Sequence, residues 1–434
     1  MIKIDKINDF GYIDDKPFKE CDTDKQIFSL ININNDGIEF KANGISSISF
    51  WDIEKTPKVI YAVDSNLAPI TALRIFPGTT EFSAISTSIY KSDLYFIGQK
   101  ATIGGKIKHF TTSTKIHELI YYNDSLSRIF FNDSFVYKYK LKKNILESIT
   151  IKGKKKANIE IGNINMQNNN SIKLILAKDF KCKHQFNDTE RITIEDNSHL
   201  ILKYKKGVCF DEVYKDIRLI DSSIYLMTHL KRRHKKIEIK DFRKNTYLCK
   251  DFNIEKIGNK VNDIRFLICN REDSKEVFCN ILQNFYRIYD EDKNALFSFL
   301  EYDSSNSSLE IKFLEYYKTI EYIKMLENKE KGKGIGTKFL LDILSENQSL
   351  KKCFFGNQEI NNIEEEIRSL RNYYSHTGYY IKDLPIPTKN PKRVKKIDTK
   401  WLYNVLDFMK IATYYEMYKY CEINCKWEEF RDSL

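Results

Sequence analysis

Up to about residue 270, apolar and polar positions alternate in short runs that are separated by turn residues roughly every ten positions. In the run 135–141 every second residue is aromatic or aliphatic, and this period of two is typical of a strand with one buried face. The dipeptide Asp36-Gly37 lies between two such runs and predicts a tight hairpin. Regular short strands with little helix between them predict an antiparallel sandwich or barrel-like domain. The predicted strands are 27–33, 38–41, 58–63, 68–76, 94–98, 128–139, 148–152, 172–176, 191–195 and 200–204.

Beyond residue 270 the spacing of the apolar residues becomes helical. Between 274 and 289 these residues recur at i, i+1, i+4, i+5 and i+8, which gives a helix one apolar face. Ser307 and Ser308 are candidate caps for the helix that follows. Helices are predicted at 274–289, 309–326, 335–344, 362–374 and 399–420, with a loop rich in proline and lysine at 384–396. The pattern therefore predicts a bundle of four or more helices.

These two patterns together predict an α+β protein with two domains. The β-rich domain is expected at 1–272 and the helical domain at 273–434. Asparagines cluster at 163–170, and this stretch predicts either a loop between two sheets or a boundary between subdomains.

Composition narrows the class of protein. The chain is 42% hydrophobic and 30% charged, so it can bury real cores, and no stretch approaches the roughly 20 consecutive apolar residues that cross a bilayer. The first six residues lack the apolar core of a signal peptide. The nine cysteines are scattered, odd in number and without a Cys-x-x-Cys pair, which disfavours both a disulfide framework and a ribbon-type zinc site. We therefore expect a protein of the reducing cytoplasm, without a membrane partner.

The net charge of +11 is unevenly distributed along the chain. From Leu282 onward there are 24 basic and 24 acidic residues, so the whole excess precedes this point. It concentrates at 138–156, where eight lysines accompany one glutamate, and at 231–236. Such runs suit an anionic partner, nucleic acid above all, although solvated hairpin turns are the alternative interpretation.

The segment 370–379 contains the most informative candidate chemistry, because Arg371 and His376 enclose four residues. Gly378 is a good residue to end the preceding helix, so His376 is expected in or just after its last turn, where exposed carbonyls favour a protonated imidazole. Five residues on a straight helix place two side chains about 140° apart. Arg371 and His376 converge on one substrate only if the helix end unwinds or if a second copy of the motif faces the first. The second option predicts a symmetric dimer.

Arginine, asparagine and histidine together suit cleavage of an RNA phosphodiester. Arginine presents a bidentate fork to phosphate oxygens, and histidine takes or gives a proton near neutral pH. RNA supplies its own nucleophile, the 2′-hydroxyl. The alternative interpretation is a histidine that caps the helix or lies on its surface.

The Arg371-Asn372-x3-His376 pattern resembles the signature of HEPN ribonucleases. The helix that begins near Leu309 and the long final helix agree with a HEPN bundle. The whole chain resembles ApeA-type bacterial anti-phage proteins, which pair a β-rich N-terminal domain with a C-terminal HEPN domain. The match in the first domain is looser and rests on the early hairpin at 37–40 and on the run 94–98.

The resemblance implies a metal-independent endoribonuclease that acts in abortive infection and needs no cofactor. His376 would be the general acid and base, Arg371 would stabilise the transition state, and Asn372 would orient Arg371 or the substrate. Such enzymes act as homodimers through the HEPN domain and leave 2′,3′-cyclic phosphate and 5′-hydroxyl ends. The expected partners are cellular RNA, with tRNA among the candidates, and a phage-derived trigger that the N-terminal domain senses.

Several further residues are candidates for substrate binding. Tyr379 is a candidate stacking residue, with a packing aromatic as the alternative. The loop that follows carries a basic cluster that would grip the RNA backbone or simply face solvent: Lys392, Arg393, Lys395 and Lys396. The acidic run Glu364, Glu365 and Glu366 is expected to be a solvated helix start, unless one of its members positions His376 near the dimer seam.

Two other functions remain open on the sequence. In the first, the bundle is a non-catalytic RNA-binding or dimerisation HEPN scaffold with a β-rich ligand-binding domain, and Arg371 and His376 form a structural pair. In the second, a carbohydrate- or peptide-binding β domain carries a helical oligomerisation tail. The first predicts RNA affinity without cleavage, and the second predicts neither.

Overall fold

The computed structural model of the chain divides into two compact units. The first consists of Met1–Asp221 and Arg232–Val261, and the second of Ser222–Lys231 and Asn262–Leu434. The predicted division into domains after residue 272 stays a prediction. The described residues are 7–14, 27–34, 37–43, 59–65, 68–77, 81–82, 86–99, 108–130, 135–142, 145–153, 157–166, 170–178, 180–186, 190–196, 198–228, 236–251, 273–291, 308–328, 335–377 and 399–424.

The first unit is an antiparallel β structure, as the alternating pattern predicts. All strand pairs among the described residues are antiparallel. The strands are β1 (Ile7–Asp14), β2 (Ile27–Asn34), β3 (Gly37–Asn43), β4 (Val59–Asp64), β5 (Pro69–Pro77), β6 (Glu81–Phe82), β7 (Ser86–Ile97), β8 (Ile116–Tyr122), β9 (Phe135–Lys142), β10 (Ile145–Gly153), β11 (Ala157–Asn165), β12 (Ser171–Lys178), β13 (Phe180–Phe186), β14 (Glu190–Asp196), β15 (His199–Val208), β16 (Lys236–Asp241) and β17 (Thr246–Asp251).

Six strands close into a ring, in the order β7, β3, β2, β1, β4 and β5, and β5 pairs back onto β7. The hairpin predicted at Asp36-Gly37 is confirmed, since Asn34 pairs with Gly37, whose φ of 141° is open to glycine. Alternate residues of the ring strands pack into one apolar core, because successive side chains of a strand point to opposite faces. The core residues are Ile31, Ile33, Ile38, Phe40, Ile60, Ala62, Ile70, Ala72 and Tyr95.

The sheet continues from β7 through β17, β16, β8, β15 and β12 to β11. Because β11 and β12 are neighbours that pair from Asn165 and Ser171 outward, the two ends of the stretch 163–170 join strands of one sheet. The interpretation of this segment as a loop between two sheets is therefore wrong. The strand predicted at 128–139 is also partly wrong, because α1 (Ser125–Ile129) precedes β9.

A 19-residue helix, α2 (Phe210–Thr228), lies within the region that the sequence predicts to be β-rich. Its residues up to Asp221 belong to the first unit. There the buried Tyr204 of β15 donates a hydrogen bond of 2.7 Å to Asp216 Oδ2, and Tyr121 of β8 donates to Asp221 Oδ1. Each bond gives a carboxylate that is buried or half-buried against the sheet a hydrogen-bond donor, which offsets part of the cost of removing it from water.

The second unit is helical from Ser274 onward. Its described helices are α3 (Ser274–Glu291), α4 (Leu309–Asn328), α5 (Ile335–Glu346), α6 (Gln348–Phe355), α7 (Ile360–Thr377) and α8 (Thr399–Tyr420). Five of them confirm the predicted helices, and only the short α6 is not predicted. The fold class is therefore α+β. None of the described helices combines the length and the apolar content that a membrane span requires.

Candidate functional site

The site that the sequence predicts lies on α7. This helix buries Ile363, Ile367, Leu370 and Tyr374, and their spacing of four, three and four residues fixes one face of α7 against the bundle. The helix runs without interruption through Thr377, just before Gly378. Arg371, Asn372 and His376 therefore all lie in its last turns.

Arg371 is half-buried and contacts groups on two helices. Its Nη1 donates a hydrogen bond of 3.3 Å to Oδ1 of the exposed Asn372. Its guanidinium carbon lies 5.8 Å from the ring centroid of Tyr317 on α4, at the outer limit of a cation–π contact. One turn further along α7, the ring of Tyr374 meets that of Phe313 edge-on at 5.6 Å. These two contacts show that α4 and α7 pack antiparallel.

The side chain of Tyr317 is fixed by burial and by a hydrogen bond. It is 3% exposed, and its hydroxyl shares a hydrogen bond with Oγ1 of Thr337, a fully buried residue of α5. Burial raises the pKa of Tyr317, and the negative charge of Glu321 acts in the same direction, whereas the hydrogen bond shared with Thr337 and the positive charge of Arg371 lower it. The phenol is neutral at physiological pH, so Tyr317 offers Arg371 a ring face without cancelling its charge.

The charge of Arg371 has no acidic counterion among the described residues. Its neighbour Arg368 differs, because it forms an ion pair with Glu364 one turn earlier. An arginine that is held in place but not neutralised is suited to bind a phosphate, since its five donors remain largely available.

The helical backbone places His376 on a different face of α7 from Arg371. Five residues separate the two, which corresponds to about 140° around the axis, whereas Asn372 precedes His376 by four residues and shares its face to within about 40°. Because the helix does not unwind before Thr377, the route to convergence within a single chain is closed. The side chain of His376 lies outside the described residues.

The acidic residues at the start of α7 are engaged elsewhere. Glu364 pairs with Arg368, and Gln358 Nε2 donates a hydrogen bond of 2.7 Å to Glu366 Oε2. These acids precede His376 by ten to twelve residues, or about 15–18 Å of helix. Within one chain this separation is too long for direct contact with His376, and the alternative in which one of these acids positions His376 near the dimer seam stays a prediction.

Other predicted site residues lie outside the described part of the chain: Tyr379, Lys392, Arg393, Lys395 and Lys396. In the described part, no three His, Cys, Asp or Glu side chains cluster closely enough to hold a metal ion.

Sequence reasoning missed Tyr317 and Thr337 as residues of the site. Both lie in helices that were predicted, but nothing in the sequence indicates which helix faces Arg371. Glu310 is a second omission. It is 8% exposed, lies on α4 seven residues before Tyr317, and its Oε1 has no hydrogen-bond partner among the described residues.

Comparisons of the chain with protein-family models, with curated proteins and with solved structures return no match.

Proposed function

We propose that the protein is a metal-independent endoribonuclease of bacterial anti-phage defence, with a HEPN bundle as its helical part and an ApeA-type sensing domain as its β-rich part. The observation that carries the proposal is the environment of the Arg371 side chain. It is half-buried, held between Asn372 and the ring of Tyr317, and without an acidic counterion among the described residues. It lies on the same continuous helix as His376.

The chemistry assigns one task to each residue. His376 takes the proton from the 2′-hydroxyl, whose oxygen then attacks the adjacent phosphorus. Arg371 binds the non-bridging oxygens and stabilises the charge that develops on them. The bond to the 5′-oxygen breaks, and this oxygen leaves with a proton from an imidazolium. Asn372, which already accepts a hydrogen bond from Arg371, orients the guanidinium. The products carry 2′,3′-cyclic phosphate and 5′-hydroxyl ends.

The separation of Arg371 and His376 around α7 supports a composite site. Because the two side chains leave a continuous helix about 140° apart, we propose that Arg371 of one copy acts with His376 of a second copy. In the alternative of a non-catalytic scaffold, Arg371 and His376 form a structural pair, and the same helical geometry disfavours such a pair within one chain.

The test is incubation of the purified protein with total RNA in EDTA. Wild type is compared with His376→Ala and Arg371→Lys, and Arg368→Lys serves as the matched control on the same helix. We expect the first two variants to lose ~10²-fold or more in cleavage rate, because they remove the proton carrier and the bidentate fork. Arg368→Lys keeps its ion pair and its activity. Equal cleavage by wild type and His376→Ala contradicts the proposal.

A mixing experiment tests the composite site separately. His376→Ala and Arg371→Ala proteins are inactive alone, but half of the randomly mixed dimers contain one intact Arg371–His376 site. The mixture should therefore regain about a quarter of the wild-type activity if each dimer has two such sites. A mixture as inactive as its components shows that the two residues act within one chain.

A further inference from the structure

An exposed aromatic side chain marks a surface of the first unit that is remote in sequence from α7. Phe242, in the turn between β16 and β17, is 77% exposed, more than any other large apolar side chain among the described residues. Its ring lies 5.2 Å from the ring of His117, at the start of β8. Two rings thus form a small open platform at one end of the sheet.

His117 reaches this platform because of a bulge in β8. Lys240 of β16 pairs with Glu118, and the next residue, Asp241, pairs with Ile116, so that His117 is an extra residue without a partner opposite it. Bulges of this kind re-aim a side chain. Gly207 of the neighbouring β15 leaves the necessary room, since a Cβ there would lie 2.7 Å from His117 Nε2.

The turn that carries Phe242 is braced from within. Asp241 Oδ1 and Oδ2 accept hydrogen bonds of 2.8 and 2.6 Å from the backbone and side-chain nitrogens of Asn245. The backbone nitrogen of Lys244 donates to Asp241 O at 3.0 Å, and Lys244 adopts a left-handed φ of 63°. Phe242 is therefore presented on a fixed turn, and a ligand that stacks on it loses little free energy to ordering of the loop.

Four exposed cations lie on the same turn as Phe242 or on the segment that leads into β8 and His117: Lys108, Lys115, Arg243 and Lys244. None of them forms an ion pair with another described residue, and Lys108 Nζ donates a hydrogen bond of 3.1 Å to Asn245 Oδ1. The acids nearby are occupied, because Asp241 is bound by Asn245 and Glu118 pairs with Lys240 at 2.5 Å. We call Phe242, His117 and these four cations the Phe242 patch.

We propose that the Phe242 patch binds single-stranded nucleic acid, with an unpaired base stacked on Phe242 and the adjacent phosphates on the four cations. Charge complementarity selects an anionic partner. An aromatic ring that is open on one face suits unpaired bases, which every single strand offers and a duplex does not. One phenylalanine among lysines is too small an apolar area for a typical protein interface. This proposal does not depend on the nuclease activity of α7.

The experiment measures fluorescence anisotropy of labelled 12-mers of single-stranded RNA, single-stranded DNA and duplex RNA with the full chain. The His376→Ala background is used so that cleavage cannot consume the probe. Phe242→Ala should weaken binding of the single strands by roughly 5- to 150-fold, the range that corresponds to loss of one base–aromatic stack. Phe242→Trp should restore the affinity, and its tryptophan fluorescence should be quenched by the stacked base. The RNA and DNA arms distinguish the two sources of a single strand.

Two controls separate the patch from general charge and exposure. Tyr403→Ala truncates another exposed aromatic, at 50% exposure on α8, and should leave the affinity unchanged. Removal of Arg243 and Lys244 should reduce the slope of log K against log salt by ~0.7 for each phosphate that these side chains neutralise. Lys173→Ala, at a lysine paired with Glu160, should not change this slope.

Three results would overturn the proposal. The first is equal affinity of Phe242→Ala and Tyr403→Ala for the single strands. The second is duplex RNA or anionic phosphatidylserine vesicles bound as tightly as the single strands, which would assign the patch to general anion or membrane binding. The third is single-strand affinity weaker than ~10⁻⁴ M at physiological salt, the weak end of non-specific nucleic-acid binding.

Discussion

A buried ion pair that connects α4 to α8 provides a sharp test of how the helical unit is held together. Lys324 Nζ lies 2.8 Å from Glu416 Oε2, and the two side chains are 9% and 1% exposed. Lys324 Nζ also lies 2.6 Å from Glu327 Oε2 and 3.8 Å above the ring of Phe339. Lys324→Met is the informative perturbation, because methionine fills most of the same volume and removes only the charge.

The expected change in the free energy of unfolding depends on whether a variant removes one charge of the ion pair or both. At an effective dielectric constant of about 20, two unit charges 2.8 Å apart attract by ~6 kcal/mol, which desolvation largely offsets. Lys324→Met removes the attraction but leaves the Glu416 carboxylate buried, and we expect the free energy of unfolding to fall by ~3–5 kcal/mol. The double variant with Glu416→Leu removes both charges and should recover most of this loss.

The assay is urea unfolding followed by circular dichroism at 222 nm, as a function of pH. Burial raises the pKa of Glu416, so its carboxyl binds a proton more tightly in the folded than in the unfolded chain. Its contribution to stability is present below the unfolded pKa and is lost as pH rises through the folded pKa. Lys324→Met should therefore be least destabilising in acid. The reasoning would be refuted if Lys324→Met lowered the free energy of unfolding by less than ~1 kcal/mol at pH 7, or if the double variant were no more stable than Lys324→Met.

Three further predictions concern single side chains. Tyr317→Leu removes the ring that faces Arg371 and should lower the kcat of the proposed RNA cleavage more than it lowers thermal stability. Tyr317→Phe keeps the ring and should keep the activity. Steady-state kinetics measure the effect on kcat, and melting curves measure the effect on stability. Tyr204→Phe removes one hydrogen-bond donor from the buried carboxylate of Asp216 and should lower the free energy of unfolding in urea by ~1.5–3 kcal/mol; an unchanged free energy of unfolding would contradict this role of the hydrogen bond. Burial lowers the pKa of His109 to about 4, so between pH 6.5 and 4 the unfolded chain binds a proton that the folded chain does not. The free energy of unfolding should therefore fall by ~3 kcal/mol over this range. His109→Phe should flatten this pH dependence, and an unchanged pH dependence in the variant would exclude His109 as its source.

The sequence determined the elements whose period is strong. The pattern of α8 predicts a helix at 399–420, and the structure has the same bounds. The hairpin at Asp36-Gly37 follows from its turn residues. A helical period is present in α2 as well, since Phe210, Val213, Ile217, Ile220 and Ile224 recur every three or four residues and are all buried. The strands on either side give the whole region a β-type pattern, and this pattern conceals the local helical spacing.

The sequence also provided the candidate catalytic residues on α7, because the spacing of Arg371 and His376 is local. It could not show that Arg371 lacks an acidic counterion, since Glu364, Glu365 and Glu366 lie nearby on the same helix. The structure shows that Glu364 pairs with Arg368 and that Tyr317 comes from another helix. Which residues meet across helices depends on packing, and packing is a property of three-dimensional shape rather than of spacing.

Only the tertiary structure decided how the strands close and where the Phe242 patch forms. The 12-residue β7 pairs with β3, β5 and β17, and this sharing of one long strand closes the six-stranded ring. Phe242, His117 and Lys108 are separated by up to 134 positions, yet one bulge and one braced turn bring them to the same end of the sheet. A side chain's periodicity determines which face it occupies, whereas strand register determines its neighbours, and register is fixed only when the whole sheet has assembled.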